Sequence, residues 1–141
     1  VPSAAPDATE DPISPRRRRD GLAAVFCSDL HRAVQTARIA FAGSGIPLLL
    51  DRRLRECDYG ELNGRPSAEV LAQRTARVRL AYPGGESWTG AIARTAPVLT
   101  DLLARWDGRR VLLVGHVATR WTLDHLVDGA PVDDLVAADF G

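Results

Sequence analysis

VLLVGHVATRW, residues 111–121, sets an unbroken apolar run directly before a histidine and a helix-compatible segment directly after it. A short run of this kind predicts a strand buried on both faces of a parallel sheet. His116 then stands at the carboxyl end of the strand, and a helix is expected over about 117–127. AAVFCSD at 23–29 repeats the arrangement: an apolar, β-leaning run breaks into Ser28 and Asp29, good N-cap residues for a following helix. Strands that run straight into helices make α/β the expected fold class, with short loops between layers.

The intervening segments fill in the alternation. Leu30, Val34, Ala37 and Phe41 repeat at helical spacing and predict the buried stripe of the first helix, which Gly43 and Gly45 end. Residues 46–50 read as a further short strand, and 51–65, charged and broken by glycine, as loop. Pro66 opens a helix whose stripe is Ala68, Leu71, Thr75, Val78 and Tyr82, closed by the PGGES turn at 83–87. The clearest helix follows, with Trp88, Ala91, Ile92, Thr95, Leu99, Leu102, Leu103 and Trp106 on one face, a kink expected at Pro97 and a stop at Gly108. Residues 1–20, rich in Pro, Ala and acid and ending in Arg16–Arg19, read as loop.

A chain of 141 residues makes one domain of ordinary size, spanning 1–141. Leu, Ile, Val and Phe supply 36 of them, enough to build a core, so disorder along the whole chain is excluded. Charges balance at 18 basic and 18 acidic residues, and no global field draws the protein to nucleic acid or anionic lipid. Every cation is Arg, which excludes lysine-dependent chemistry. Cys27 and Cys57 lack the spacing of a metal or redox pair and read as reduced thiols. No run is long enough to span a membrane and no secretion signal opens the chain, so the expectation is a soluble, cytoplasmic protein. Arg16–Arg19, without interleaved aromatics, reads as a solvated stretch and not as a nucleic-acid contact.

Two strand ends concentrate the candidates. Ligands of open α/β sheets sit beyond the carboxyl ends of strands, where helix N-termini present N–H groups and partial positive charge; an anion is the natural guest. Arg32 lies in the first turn after Ser28-Asp29, where the helix dipole disfavours a cation by up to about 1 kcal/mol unless an anion offsets it. Pattern alone favours a solvated Arg32, and leaves His116 open between a satisfied core histidine and a functional one. Glu56 sits in a loop with Arg52, Arg53 and Arg55; a loop salt bridge is its better reading, since arginine neighbours lower a carboxyl pKa and a general acid needs it raised. His31 and His125 read as surface residues, and Asp29, His31, His116, Asp124 and His125 match no metal-ligand spacing.

Four stretches in order, CSDLHRAVQTA at 27–37, LRECDYGELNG at 54–64, YPGGESW at 82–88 and VLLVGHVATRW at 111–121, resemble the histidine phosphatase superfamily; DPISPR at 11–16 also looks like the loop before that family's first helix. The resemblance implies a phosphoglycerate mutase-like, three-layer α/β/α fold with a mostly parallel central sheet. It implies a phosphatase of small phosphorylated molecules that works through a phosphohistidine and needs neither metal nor cofactor. By the same resemblance Arg32 is the phosphate-pocket arginine, His116 the second active-site histidine and Glu56 the proton donor to the leaving oxygen. Val117 lends a backbone donor to the phosphate, in the place of a Gly often found there, and Glu86 is a supporting residue that orients the arginine and its own turn. The family nucleophile belongs to an Arg-His-Gly-like end of a first strand, and no histidine precedes His31, which occupies a variable motif position. The chain has no Met, so Val1 is not expected to be a translated start; an N-terminal strand upstream is expected, and the 141 residues alone are expected to show no turnover. A phosphatase-like binding or regulatory module without the nucleophile is the alternative, and mutase activity ranks below it, because insertions to hold a sugar acid are not apparent. Substrate identity and oligomeric state are not encoded in any motif.

Overall fold

The computed structural model describes residues 21–138, so the loop expected at 1–20 and the end at Phe140 and Gly141 lie outside it. Three parallel strands form one sheet: β1 (Leu22–Cys27), β2 (Leu48–Leu50) and β3 (Arg110–Val114), in the order β2-β1-β3. Central β1 explains its apolar sequence, because Ala24, Val25 and Cys27 are fully buried. Burying Val25 contributes about 1.5–3 kcal/mol relative to leaving it in water. The expectation of burial on both faces fails for β3, whose residues 111–114 are half-buried; among the described residues it pairs with β1 alone.

Helix α1 (His31–Ala40) packs Ala33 and Ala37 beside Cys27, Leu48 and Val114, while Ala40 and Phe41 cover Val25. Ala37 and Phe41 of the expected stripe are buried and Val34 is half-buried, but Leu30 is not part of it. Leu30 is the extended residue before the helix and is exposed, so the buried face starts at Ala33, and small alanines let the helix lie close to the sheet. Residues 51–65 contain 3-10 turns at Arg52–Leu54 and Gly60–Leu62. The helix expected from Pro66 to Tyr82 is instead a short α2 (Ser67–Ala72) followed by a 3-10 turn at Arg74–Arg77. Val78 and Tyr82 are buried as expected, but within α2 the buried residue is Val70, and Ala68, Leu71 and Thr75 are exposed.

Helix α3 (Trp88–Arg105) starts where Ser87 Oγ accepts the Gly90 N–H at 3.0 Å, and carries Pro97 inside it. Trp88, Ala91, Ile92 and Thr95 are buried as expected; Val98 replaces Leu99 on the inner face and Leu103 is exposed. Helix α4 (Val117–Leu126) begins directly after His116, and a short α5 (Val132–Ala137), not anticipated from the sequence, closes the described chain. A second core gathers where these helices meet: Trp88 and Trp121 stand edge to face, centroids 4.6 Å apart, with Tyr82, Ala118 and Val136 around them. No described helix is long and apolar enough to cross a membrane.

Candidate active site

The carboxyl ends of β1 and β3 are joined by Ser28. Its N–H donates to the Val114 carbonyl at 2.8 Å, its Oγ accepts the Leu30 N–H at 3.2 Å, and the same Oγ lies 2.9 Å from Nε2 of His116. Neither Ser28 nor Asp29 caps α1 as expected, since Leu30 is the N-cap and carries no side-chain cap bond; Ser28 instead holds the histidine, across 88 residues of sequence. His116 is extended, and its own N–H donates to Thr119 Oγ1 at 3.2 Å. Only glycine fits at 115, because a Cβ there would overlap the Thr119 side chain that holds the histidine backbone. Burial pushes the His116 imidazole below its ordinary 6.5, and the Arg94 guanidinium adds to this against the opposing charge of Glu56. The ring is therefore neutral at pH 7, able to donate one hydrogen bond and accept another.

Glu56 reaches the start of α4. Its carboxylate accepts the N–H groups of Val117 at 3.2 Å, Ala118 at 3.1 Å and Cys57 at 3.0 Å. The loop salt bridge expected for it does not form: Arg53 and Arg55 are engaged elsewhere and Arg52 is exposed. Arg53 pairs with Asp51 and Asp101, both at 2.8 Å, and Arg55 grips Asp29 through two contacts of 2.6 Å. A carboxylate on a helix N-terminus occupies the kind of position that also suits a phosphoryl oxygen. The Val117 N–H, expected to face phosphate, is here given to Glu56.

Glu86 holds an arginine, but it is Arg94 and not Arg32: the fork closes at 2.8 Å and 2.9 Å. Arg94 sits two turns into α3, which starts beside the Glu86 turn, whereas Arg32 lies on α1. Burial works to raise the Glu86 carboxyl, yet hydrogen bonds from Arg94 and the Asp58 N–H outweigh it and hold the group below the usual carboxylate range. Arg32 is exposed in the first turn of α1, four residues after Ser28, and no hydrogen bond or ion pair engages its guanidinium among the described residues. Its helix therefore rises from the strand end that Ser28 shares with His116. Sequence reasoning missed Ser28 as a partner of His116, and missed Arg94.

A cleft of about 830 Å³ opens beside Glu56, with Leu30, Arg52, Arg55, Tyr59 and Glu86 on its walls; Arg32, His116 and Val117 are not among them. His31 is exposed, and His125 spends Nδ1 on the Ala130 carbonyl at 2.8 Å, tying down the end of α4. Among the described residues no group of three His, Cys, Asp or Glu side chains is placed to hold a metal. Cys57 borders the site but is inert: burial, with the Glu86 and Glu56 charges, pushes its thiol up to about 12. Cys27, fully buried, is raised by burial and Asp29. Iodoacetamide at pH 8 is expected to leave both thiols unlabelled in the folded protein and to label both in guanidinium, as read by intact mass; labelling of Cys57 in the folded state would contradict this environment.

A family model described as histidine phosphatase superfamily, branch 1, matches residues 13–139. The chain belongs to the histidine phosphatase superfamily. Similar curated proteins include a probable phosphoglycerate mutase GpmB of Enterobacter, 32% identical over 127 residues, covering 84% of this chain and 59% of that protein. A 2,3-bisphosphoglycerate-dependent phosphoglycerate mutase of Methylobacterium radiotolerans is 36% identical, covering 92% of this chain and 73% of that protein. Among solved structures, a mycobacterial glucosyl-3-phosphoglycerate phosphatase with inorganic phosphate superposes at a TM-score of 0.71 with 31% identity, over 87% of this chain and 66% of that one. Bacillus stearothermophilus YhfR superposes at 0.72 with 25% identity, over 90% and 72%. The three-stranded parallel sheet with its helices is thus the phosphoglycerate mutase-like α/β fold expected from the sequence. Relatives of this superfamily member are named as phosphatases and as mutases, and it spans roughly six tenths of the GpmB relative's length.

Proposed function

We propose that the full-length protein is a phosphatase of small phosphorylated molecules, acting through a phosphohistidine. The observation that carries this reading is the meeting of His116 and Glu56 at one helix start, the imidazole held by Ser28 and the carboxylate on the Val117 and Ala118 N–H groups. A neutral imidazole, helix N–H groups and the Arg32 guanidinium, which no described residue engages, are the donors a phosphoryl group needs as its charge spreads over three oxygens. In the first step an imidazole nitrogen of the full-length protein attacks phosphorus; the N–P bond forms as the bond to the leaving oxygen breaks. The Glu56 carboxyl gives its proton to that oxygen. In the second, water attacks phosphorus, Glu56 takes its proton back, and the N–P bond breaks to release inorganic phosphate.

Orthovanadate tests the pocket, because it mimics the five-coordinate phosphoryl group. It is expected to inhibit hydrolysis of p-nitrophenyl phosphate by the full-length protein competitively, and Arg32→Ala is expected to raise its inhibition constant at least about tenfold, the loss of one charged hydrogen-bond set. An unchanged constant would remove Arg32 from the pocket. The names of the mutase relatives favour a second reading, transfer between substrate molecules. Exchange of labelled phosphate between acceptors faster than its release to water would select it.

A further inference from the structure

We infer that Arg94 is the positioning residue for Glu56: it fixes the loop that carries the acid through hydrogen bonds that only a guanidinium can supply together. All five N–H donors of an arginine are in use. Nε and Nη2 form the fork on Glu86, Nη1 donates to the carbonyls of Arg53 at 2.9 Å and Arg55 at 3.0 Å, and Nη2 also donates to the carbonyl of Glu56 itself at 3.1 Å. Three carbonyls of residues 53–56 are thus gathered on one planar group anchored in α3. Thr95 Oγ1, the next residue, adds a 2.9 Å bond to the Arg53 carbonyl.

The far side of the acid is held by the partner of the same arginine. Glu86 Oε1 accepts the Asp58 N–H at 3.0 Å, and the Glu86 N–H donates to the Asp58 carbonyl at 2.8 Å. Glu56 therefore sits between a carbonyl grip before it and an amide grip after it, both closed by the Arg94–Glu86 pair. The two loops interlock so closely that a Cβ on Gly85 would overlap the Asp58 carbonyl and one on Gly60 the Pro83 carbonyl. Side chains of the pair are about one quarter exposed, so water screens it only in part. Lysine keeps the charge but offers three donors from a single point, and so holds Glu86 without reaching the three carbonyls.

The inference rests on Glu56 as the acid, so the test compares leaving groups. In the full-length protein, kcat is measured for p-nitrophenyl phosphate, whose leaving group needs little protonation, and for an alkyl phosphate, whose leaving group needs much. Arg94→Lys is expected to cost several-fold on the aryl substrate and about 100-fold on the alkyl one, the usual span of general acid catalysis, with KM for both within threefold. Glu86→Gln, which keeps an acceptor for Asp58, is expected to move the same ratio in the same direction, so either variant decides the matter if the other does not fold. Equal losses on both substrates, or no loss, would overturn the positioning role. Glu56→Gln, run in parallel, separates the two claims. If its ratio shifts and those of the Arg94 and Glu86 variants do not, the inference alone is wrong. If its ratio does not shift, the acid assignment and the inference fall together.

Discussion

His116→Ala in the full-length protein is expected to lower kcat for phosphate release by about 10²–10³-fold, the cost of removing one preorganised donor to a developing oxyanion. The size follows from how firmly the ring is set. Burial keeps it neutral, Ser28 Oγ lies 2.9 Å from Nε2, and the peptide behind it is locked by Thr119 and by the lack of a side chain at Gly115. Such a donor needs no reorganisation as charge builds on the phosphoryl oxygens, which is where its advantage over water lies. Single-turnover kinetics check the step directly, and the thermal transition of the variant checks that the half-buried site still folds. Activity within threefold of the parent, in a protein that melts normally, would mean that His116 is a structural partner of Ser28 and nothing more. Neutrality also sets a pH limb. With its pKa lowered on folding, His116 refuses a proton that the unfolded chain accepts below 6.5, so its contribution to stability is present above that pH and is lost on acidification.

The sequence carried the order of strands and helices, because apolar runs and N-cap residues are local signals: VLLVG before His116 and AAVFC before Ser28 mark the two strand ends unaided. It carried the phase of helix faces in part. Ala37, Phe41, Val78, Tyr82, Trp88, Ala91, Ile92 and Thr95 are buried where the stripes put them, yet Leu30, Leu71 and Leu103 are exposed, since α1 starts after Leu30 and the inner residues of α2 and α3 are Val70 and Val98. The site divides the same way. His116 and Arg32 are legible as residues at helix starts. Glu56 was not, because adjacency in sequence pointed to its arginine neighbours, while in space Arg53 had found Asp51 and Asp101 and Arg55 had found Asp29. Arg94 left no signal at all: three of its five bonds run to a loop about 40 residues earlier and two to Glu86, and nothing in a helical stripe marks a polar residue that points there.

Glu56→Gln is expected to produce two opposite effects, and their opposition makes it informative. An amide cannot give a proton to a departing alkoxide, so hydrolysis of alkyl phosphates should fall by about 10²–10⁴-fold, the range of a lost general acid, and that of p-nitrophenyl phosphate far less. Binding of the product should move the other way. The Glu56 carboxyl oxygens now accept from the Val117 and Ala118 N–H groups, so inorganic phosphate must compete with them for the N-terminus of α4. An amide is isosteric but offers one acceptor oxygen where the carboxyl offers two to these N–H groups, so phosphate should bind about tenfold more tightly, equivalent to about 1.4 kcal/mol. Isothermal titration with phosphate and a leaving-group series on the same preparation read both effects. Weaker phosphate binding together with uniform losses across the series would mean that Glu56 only staples the loop to α4. A carboxyl that both guards the anion site and feeds the proton would instead give the crossed pattern.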